Sequence, residues 1–467
     1  MTPSAESEGR RLFLYHLIRA FFHEKSACLT AHSRREGDTV AVMLENGAEK
    51  GVGKAEVKLS LHREPGRAEN AAVGLAFARA ARHFTDYVPP YGTLIGVRPV
   101  KVPLFYLNEG DAEETVKDTL TEEFLVSAEK AELLLALAKT EMHFYPDRRE
   151  GDAVLYVSIP FCPSRCSYCS FVSSAAPKHL ALIPRYLSLL TEELRLTAAL
   201  FRKEGRRLLA VYVGGGTPGI LKAEEMQALL GVIREAFDCS ALREFCVEMG
   251  RPDTVTEEKL LVLAQAGVDR ISINSQTTCD ETLSRIGRKH SAADFFEAMA
   301  LAKKFPFKIN CDLISALPGE TPEIFLQSVS QTLALGPENL TLHALCQKRS
   351  AEDQNEKEFS ERFAPAVKKA HEACIKAGLV PYYLYRQKMS DAELENLGFA
   401  TPEAIGVYNL FMMEDLCDVF ACGAGAISKL IPREKGGRIH RFAGFKYPFE
   451  YLDHPERIGE RLGQMQY

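Results

Sequence analysis

Two kinds of hydrophobic patterning divide the chain. Up to about residue 147, apolar positions either alternate with polar ones, as at 39–44 and 55–61, or recur at helical spacing, as at 12–22, 70–83 and 128–139. Alternation puts one strand face in a core and the other in water, and helical spacing gives each helix one apolar stripe. These elements predict an N-terminal α+β accessory domain over residues 1–147. Its most distinctive stretch, residues 89–101, is a basic loop punctuated by Gly and Pro. It reads as a surface turn with solvated cations or as a phosphate or carboxylate contact.

From Asp152 the pattern changes. Short apolar runs at 154–158, 209–214, 244–249, 270–274, 308–313 and 339–343 are each trailed by a helical segment, such as 180–201 or 257–266. Parallel strands need crossover helices, so six βα units imply a parallel sheet and an α/β fold. A TIM-like partial (β/α)6 barrel is expected over residues 148–349, with function at the carboxyl ends of its strands. Residues 350–467 predict a C-terminal α+β extension that completes the substrate site. It holds a long helix at 356–377 with Phe359, Phe363, Val367, Ala370 and Cys374 on one side, and an aromatic strand at 382–388. The small residues of 420–428 allow either close backbone approach to a ligand or a tightly packed strand core.

Composition excludes several classes. With 46% apolar and 26% charged residues over 467, the chain is globular and has more than one core. A net charge of −6, from 57 basic and 63 acidic residues, gives no global attraction for nucleic acid. The apolar stretch after residue 11 is broken by His16 and Arg19, so neither a secretory signal nor a membrane span is expected there. Twelve cysteines are too sparse for a disulfide scaffold, which points to the reducing cytoplasm.

The candidate chemistry centres on Cys162, Cys166 and Cys169, which follow the strand at 152–159 in a loop held by Pro160 and Pro163. A structural zinc site needs four ligands, and no second Cys-x-x-Cys or His pair is present. A redox dithiol would leave Cys162 without a role. Three thiolates on a cubane cluster leave one iron open. The alternative is three reduced thiols packed as small apolar side chains.

Other unusual residues fall at the ends of the following strands: the run Gly214, Gly215, Gly216, Thr217 and Pro218, then Glu248, Gln276, Asp312 and His343 with Ala344. Each has a plainer reading. The glycines could form only a turn, and Glu248, Gln276 and Asp312 could cap strands or pair with Arg251, Arg270 and Arg288. Met226, Met249, Met299 and the pair Phe295 and Phe296 have core-like spacing.

The Cys-x-x-x-Cys-x-x-Cys spacing resembles the signature of the radical S-adenosylmethionine (SAM) superfamily. Together, residues 156–171, 214–218, 247–248, 270–272 with Gln276, Arg288, 312–319 and 423–428 resemble its oxygen-independent coproporphyrinogen III oxidase group. Gly96 to Pro99, residues 381–388 and the long N-terminal extension are similar to the HemZ-type branch. The resemblance implies a [4Fe-4S] cluster on Cys162, Cys166 and Cys169, and one or two SAM molecules in contact with Tyr156, Tyr168, Gly215, Gly216, Thr217, Glu248, Gln276, Arg288, Asp312, Ala344 and Ile427. Of these, Glu248, Gln276 and Asp312 are implied as catalytic.

The implied reaction is oxidative decarboxylation of two propionates of coproporphyrinogen III to vinyl groups by a 5′-deoxyadenosyl radical. An electron donor and an acceptor, neither identified, are implied as partners. Cations suited to propionates are Arg251, Lys348, Arg349, Arg386 and Lys388. Ser158 stands where many members have His, and Phe171 where the well-defined oxidases have a fourth cysteine. Haem-chaperone relatives share that second departure, so the alternatives implied are a haem chaperone or another radical SAM enzyme acting on a tetrapyrrole.

Overall fold

A computed structural model describes residues 8–22, 28–144, 149–171, 173–345, 356–386, 395–432 and 437–465. The chain forms two compact units, Met1–Pro146 with Leu384–Glu395, and Asp147–Tyr383 with Asn396–Tyr467.

In the first unit, helix Glu8–Phe22 precedes strands β1 (Thr30–Glu36), β2 (Thr39–Asn46) and β3 (Glu49–Glu56), which form an antiparallel sheet in chain order. β2 buries every second residue, and Val40, Val42 and Leu44 share a core with Leu17, Phe21 and Phe77. The strand expected at 55–61 stops at Glu56, and Leu59–His62 is a helical turn. Glu56 lies opposite Thr39, where β2 begins, so the ladder has no partner beyond it. In the loop at 89–101, Tyr91 is fully buried, and Arg386 lies 4.4 Å from its ring centroid and donates to the Leu94 carbonyl at 2.6 Å. That guanidinium, expected among the propionate cations, is committed to this loop.

The six expected strands of the second unit are β4 (Asp152–Ile159), β5 (Arg207–Gly215), β6 (Glu244–Gly250), β7 (Arg270–Ile273), β8 (Lys308–Ser315) and β9 (Asn339–Ala344). They are neighbours in chain order and all parallel. Seven of the eight residues of β4 are buried, because a parallel strand is covered on both faces and alternation disappears. The sheet continues through β10 (Val380–Arg386), β11 (Glu395–Ala400), β12 (Asp418–Cys422), β13 (Ile427–Leu430) and β14 (His440–Ala443), in the order β10-β11-β9-β8-β7-β6-β5-β4-β12-β13-β14. This mostly parallel α/β sheet, with β4 and β9 not paired to each other, is the unclosed barrel that six βα units predict. The boundary expected at 349/350 lies outside the described residues. Helix Glu356–Lys376 buries Phe363, Val367, Ala370 and Cys374. No helix of the described residues is long and apolar enough to cross a membrane.

β12 runs parallel to β4, with Cys422 opposite Val157, so the small-residue turn after Cys422 lies beside the carboxyl end of β4. That turn is anchored by Glu193 of helix Ile183–Lys203, whose side chain is 1% exposed. Glu193 accepts from the Gly423 amide at 2.8 Å and the Tyr451 hydroxyl at 2.6 Å, and pairs with buried Arg461. Glu193→Ala would strand Arg461 and two further donors in the interior. A loss of about 3–5 kcal/mol is expected in denaturant unfolding, with a smaller loss for Glu193→Gln.

Candidate active site

β4 and β5 end in register, with Ser158 opposite Gly214 and Ile159 opposite Gly215, so the cysteine loop and the glycine run leave the sheet together. The loop is then pinned on three sides. Amides of Gly216 and Thr217 donate to Ile159 and Phe161 carbonyls, both at 2.8 Å, and the Thr217 hydroxyl donates to Cys162 Sγ at 3.4 Å. The Cys162 amide donates to the Ser174 carbonyl at 3.0 Å, and the Ser167 amide to Ile286 at 3.1 Å. Ser164 donates to the Gly287 carbonyl at 2.8 Å and accepts from Arg251 at 2.7 Å.

Cys162 and Cys166 are buried and Cys169 is half-buried, and every described cysteine is a free thiol. Burial pushes the Cys169 thiol up, and the neighbouring Cys166 and Cys162 sulfurs add to this. Among the described residues no group of three His, Cys, Asp or Glu side chains could hold a single metal ion.

The glycine run is required by space. Gly215 has φ +109°, a conformation that side chains disfavour. A Cβ on Gly216 would lie 2.5 Å from the Phe161 carbonyl and 3.0 Å from Cys162 Sγ. Ser158, where the family often has His, donates to the Ala424 carbonyl at 2.7 Å and so ties β4 to the turn after β12.

Glu248, near the end of β6, accepts from the Tyr212 hydroxyl. Burial, with the Asp312 carboxylate nearby, pushes its pKa up to about 7. Tyr212 stacks on Tyr408 at 4.4 Å and on Tyr156 at 6.2 Å, and Tyr156 stacks on Tyr408 at 6.0 Å. Asp312 accepts from Asn310 at 2.9 Å and lies 3.8 Å from His343 Nε2. Burial works most strongly on His343, against its charged form, but Asp312, Asn396 and Glu248 together outweigh it and hold the pKa above the usual 6.5.

Gln276 has φ +73°, held there because its amide donates to the Asp312 carbonyl at 3.0 Å while its own carbonyl accepts from Ile314 at 2.9 Å. Sparsely populated backbone of this kind persists where the surroundings over-determine it. Arg288 donates to the Asn274 carbonyl and to the Tyr168 hydroxyl, the latter at 3.2 Å. Four buried polar atoms here, Asn274 Oδ1, Ser275 Oγ, Gln276 Oε1 and Arg288 Nε, have no hydrogen-bond partner among the described residues. Buried polar atoms are rarely left so, and a polar ligand would satisfy them.

The cysteines, Tyr168, Gly215, Gly216, Thr217 and Arg288 thus form one connected set, and Tyr156, Glu248, Gln276 and Asp312 form a second that meets it at the Gly214 to Gly216 backbone. Ala344 is buried and donates its amide to Asn396 Oδ1 at 3.1 Å. Ile427 opens β13, antiparallel to β12, so it reaches the same end of the sheet, 49% exposed. Glu248, Gln276 and Asp312 do not pair with Arg251, Arg270 or Arg288, and Arg270 instead meets Glu244 at 3.0 Å. Arg251 is 2% exposed and holds the cysteine loop, so it is not a surface cation for a propionate. Lys348, Arg349 and Lys388 lie outside the described residues. Tyr212, Tyr408 and Ser164 were not expected in the site, although Tyr212 shares a strand face with Gly214, two residues on.

The radical SAM superfamily profile matches residues 156–331. The chain is 36% identical over 376 residues to the oxygen-independent coproporphyrinogen-III oxidase-like protein HemZ of Bacillus subtilis, covering 79% of this chain and 75% of that protein. It is also 36% identical over 191 residues to the heme chaperone HemW of Lactococcus lactis, but this spans 41% of the chain and only 48% of that relative. The coproporphyrinogen III oxidase HemN of Escherichia coli shares the fold, with a TM-score of 0.51 at 20% identity over 68% of this chain and 72% of that one. The chain belongs to the radical SAM superfamily, within the group of oxygen-independent coproporphyrinogen III oxidase-like proteins that includes HemZ. Members of the superfamily bind a [4Fe-4S] cluster and SAM. Three thiols close enough to raise one another's pKa, a glycine run with no room for a Cβ beside Cys162, and polar atoms without partners among the described residues fit both groups.

Gly216→Ala is expected to displace the Phe161 to Cys162 backbone and lower iron uptake on anaerobic reconstitution. Gly231→Ala, with nothing within 4 Å of the added methyl, should leave uptake unchanged. A pH effect follows from Glu248, whose folded pKa of about 7 lies above its ordinary 4.5. The native state then binds the extra proton, so cofactor-free protein loses stability as pH rises from about 4.5 to about 7. Glu248→Gln should remove that component, measured as a flatter dependence of unfolding midpoint on pH.

Proposed function

We propose that the protein catalyses the oxygen-independent oxidative decarboxylation of coproporphyrinogen III to protoporphyrinogen IX, in the cytoplasm, with separate electron-donor and electron-acceptor partners. The observation that carries this reading is the match to the HemZ protein over 376 residues, which reaches well beyond the superfamily core at 156–331. Cys162, Cys166 and Cys169 hold the cluster, and Tyr156, Tyr168, the glycine run, Thr217, Glu248, Gln276, Arg288, Asp312, Ala344 and Ile427 line the SAM site. When bound, the two groups supply an electron and a 5′-deoxyadenosyl radical able to take hydrogen from a propionate side chain.

The chain's own residues bind, orient and exclude water. Gly215 and Gly216 leave backbone room beside Cys162, and the Arg288 guanidinium offers its charge to a carboxylate. Asp312 is an acceptor for ribose hydroxyls, with Asn310 and His343 holding its orientation. The stacked Tyr156, Tyr212 and Tyr408 make an apolar wall that keeps a reactive carbon away from solvent.

A second reading, a heme chaperone, is favoured by the HemW similarity and by Phe171, 68% exposed at the position of the oxidases' fourth cysteine. Anaerobic incubation of reconstituted protein with SAM, a reductant and coproporphyrinogen III separates them by product mass. The oxidase releases two carboxyl groups as carbon dioxide; haem retention without turnover makes the protein a chaperone, and methyl gain or ring opening makes it another enzyme. Replacing Cys162, Cys166 and Cys169 together by Ala should abolish iron-sulfur absorbance and turnover. Unchanged iron and sulfide content would refute the cluster assignment.

A further inference from the structure

Arg251 follows β6 and is 2% exposed. A guanidinium so deeply buried normally sits against a carboxylate. Its side-chain partners are instead Ser164 Oγ at 2.7 Å, the Ser164 carbonyl at 2.6 Å and Cys166 Sγ at 3.3 Å, with no carboxylate among the described residues. The second buried guanidinium of the neighbourhood, Arg288, meets the Asn274 carbonyl, the Tyr168 hydroxyl and the Cys166 thiol, again with no carboxylate beside it. Beside them His290, 3% exposed, is held neutral by burial and by both arginines, so it adds no third positive charge, and an imidazole offers no negative one. A buried positive charge aimed at a cysteine sulfur has one source of compensation: negative charge on that sulfur and on what it ligates.

We infer that Arg251 is the internal counterion of the iron-sulfur cluster, acting through an N–H···S hydrogen bond to Cys166 that raises the cluster's reduction potential. This rests on the cluster reading of the three cysteines. The sign follows from charge. Reduction adds one electron, and a fixed cation and a donor on the sulfur stabilise the more negative state. The same side chain sets the loop's shape through Ser164, so Arg251 is a positioning residue for Cys166 as well as an electrostatic one.

The test is a mediated redox titration, without SAM, of full-length protein reconstituted anaerobically, with iron content measured and the reduced cluster read by electron paramagnetic resonance. Arg251→Met with wild-type iron content should show a more negative midpoint. At the wild-type midpoint its ratio of reduced to oxidised cluster should fall at least tenfold, about 59 mV for one electron. Arg251→Lys keeps the charge but cannot reach Ser164 and Cys166 together, and should shift less in the same direction. A wild-type midpoint in fully loaded Arg251→Met overturns the inference. So does failure of both variants to take up iron, which would make Arg251 a clamp for the loop and nothing more. Failure of the wild type to take up iron would instead sink the cluster reading itself.

Discussion

Residues 160–169 form no helix and no ladder of their own, so hydrogen bonds from distant parts of the chain impose their shape. Three bodies of structure do this: the Gly216 to Thr217 backbone after β5, the Ile286 to Gly287 turn, and the Arg251 side chain after β6. The first holds Phe161 and Cys162 and the other two meet at Ser164, and together they remove the conformational freedom that three thiolates would otherwise lose on meeting a metal. The parallel sheet matters to function chiefly because it brings these three to one end.

Charge at that end is sorted. On the Cys166 side lie two buried guanidiniums and a neutral imidazole, and on the β6 to β9 side lie Glu248, Asp312 and His343. The two sides are separated by the glycine backbone, which carries no side chain to screen them. A ligand with both a carboxylate and hydroxyl groups would find a cation at one end and acceptors at the other. The zwitterionic, sugar-bearing shape of SAM has that arrangement.

The parallel strands were legible because burial on both faces turns them into apolar runs, and the cysteine spacing was legible because it is local. What escaped depended on distant partners. β1 is a polar edge strand, and β11, with its Gly and Asn, has little strand character until β9 pairs with it. Arg251 read as a propionate cation or a carboxylate partner because Ser164 and Cys166 lie 87 and 85 residues away in sequence. The left-handed backbone of Gln276 comes from a bridge to β8 that no local pattern encodes. Helical turn Leu59–His62 was mistaken for strand because Val57, Leu59 and Leu61 alternate as a strand would.

The hydrogen bond from Ser158 to Ala424 joins residues 266 positions apart, and β12 completes the sheet beside β4 from the same distance. On a ribosome adding about 5–20 residues per second, that interval is roughly 13–53 s. Until then β4 is an open edge in the nascent polypeptide, while the partners that shape the cysteine loop, at residues 216–217, 251 and 286–287, have already been made.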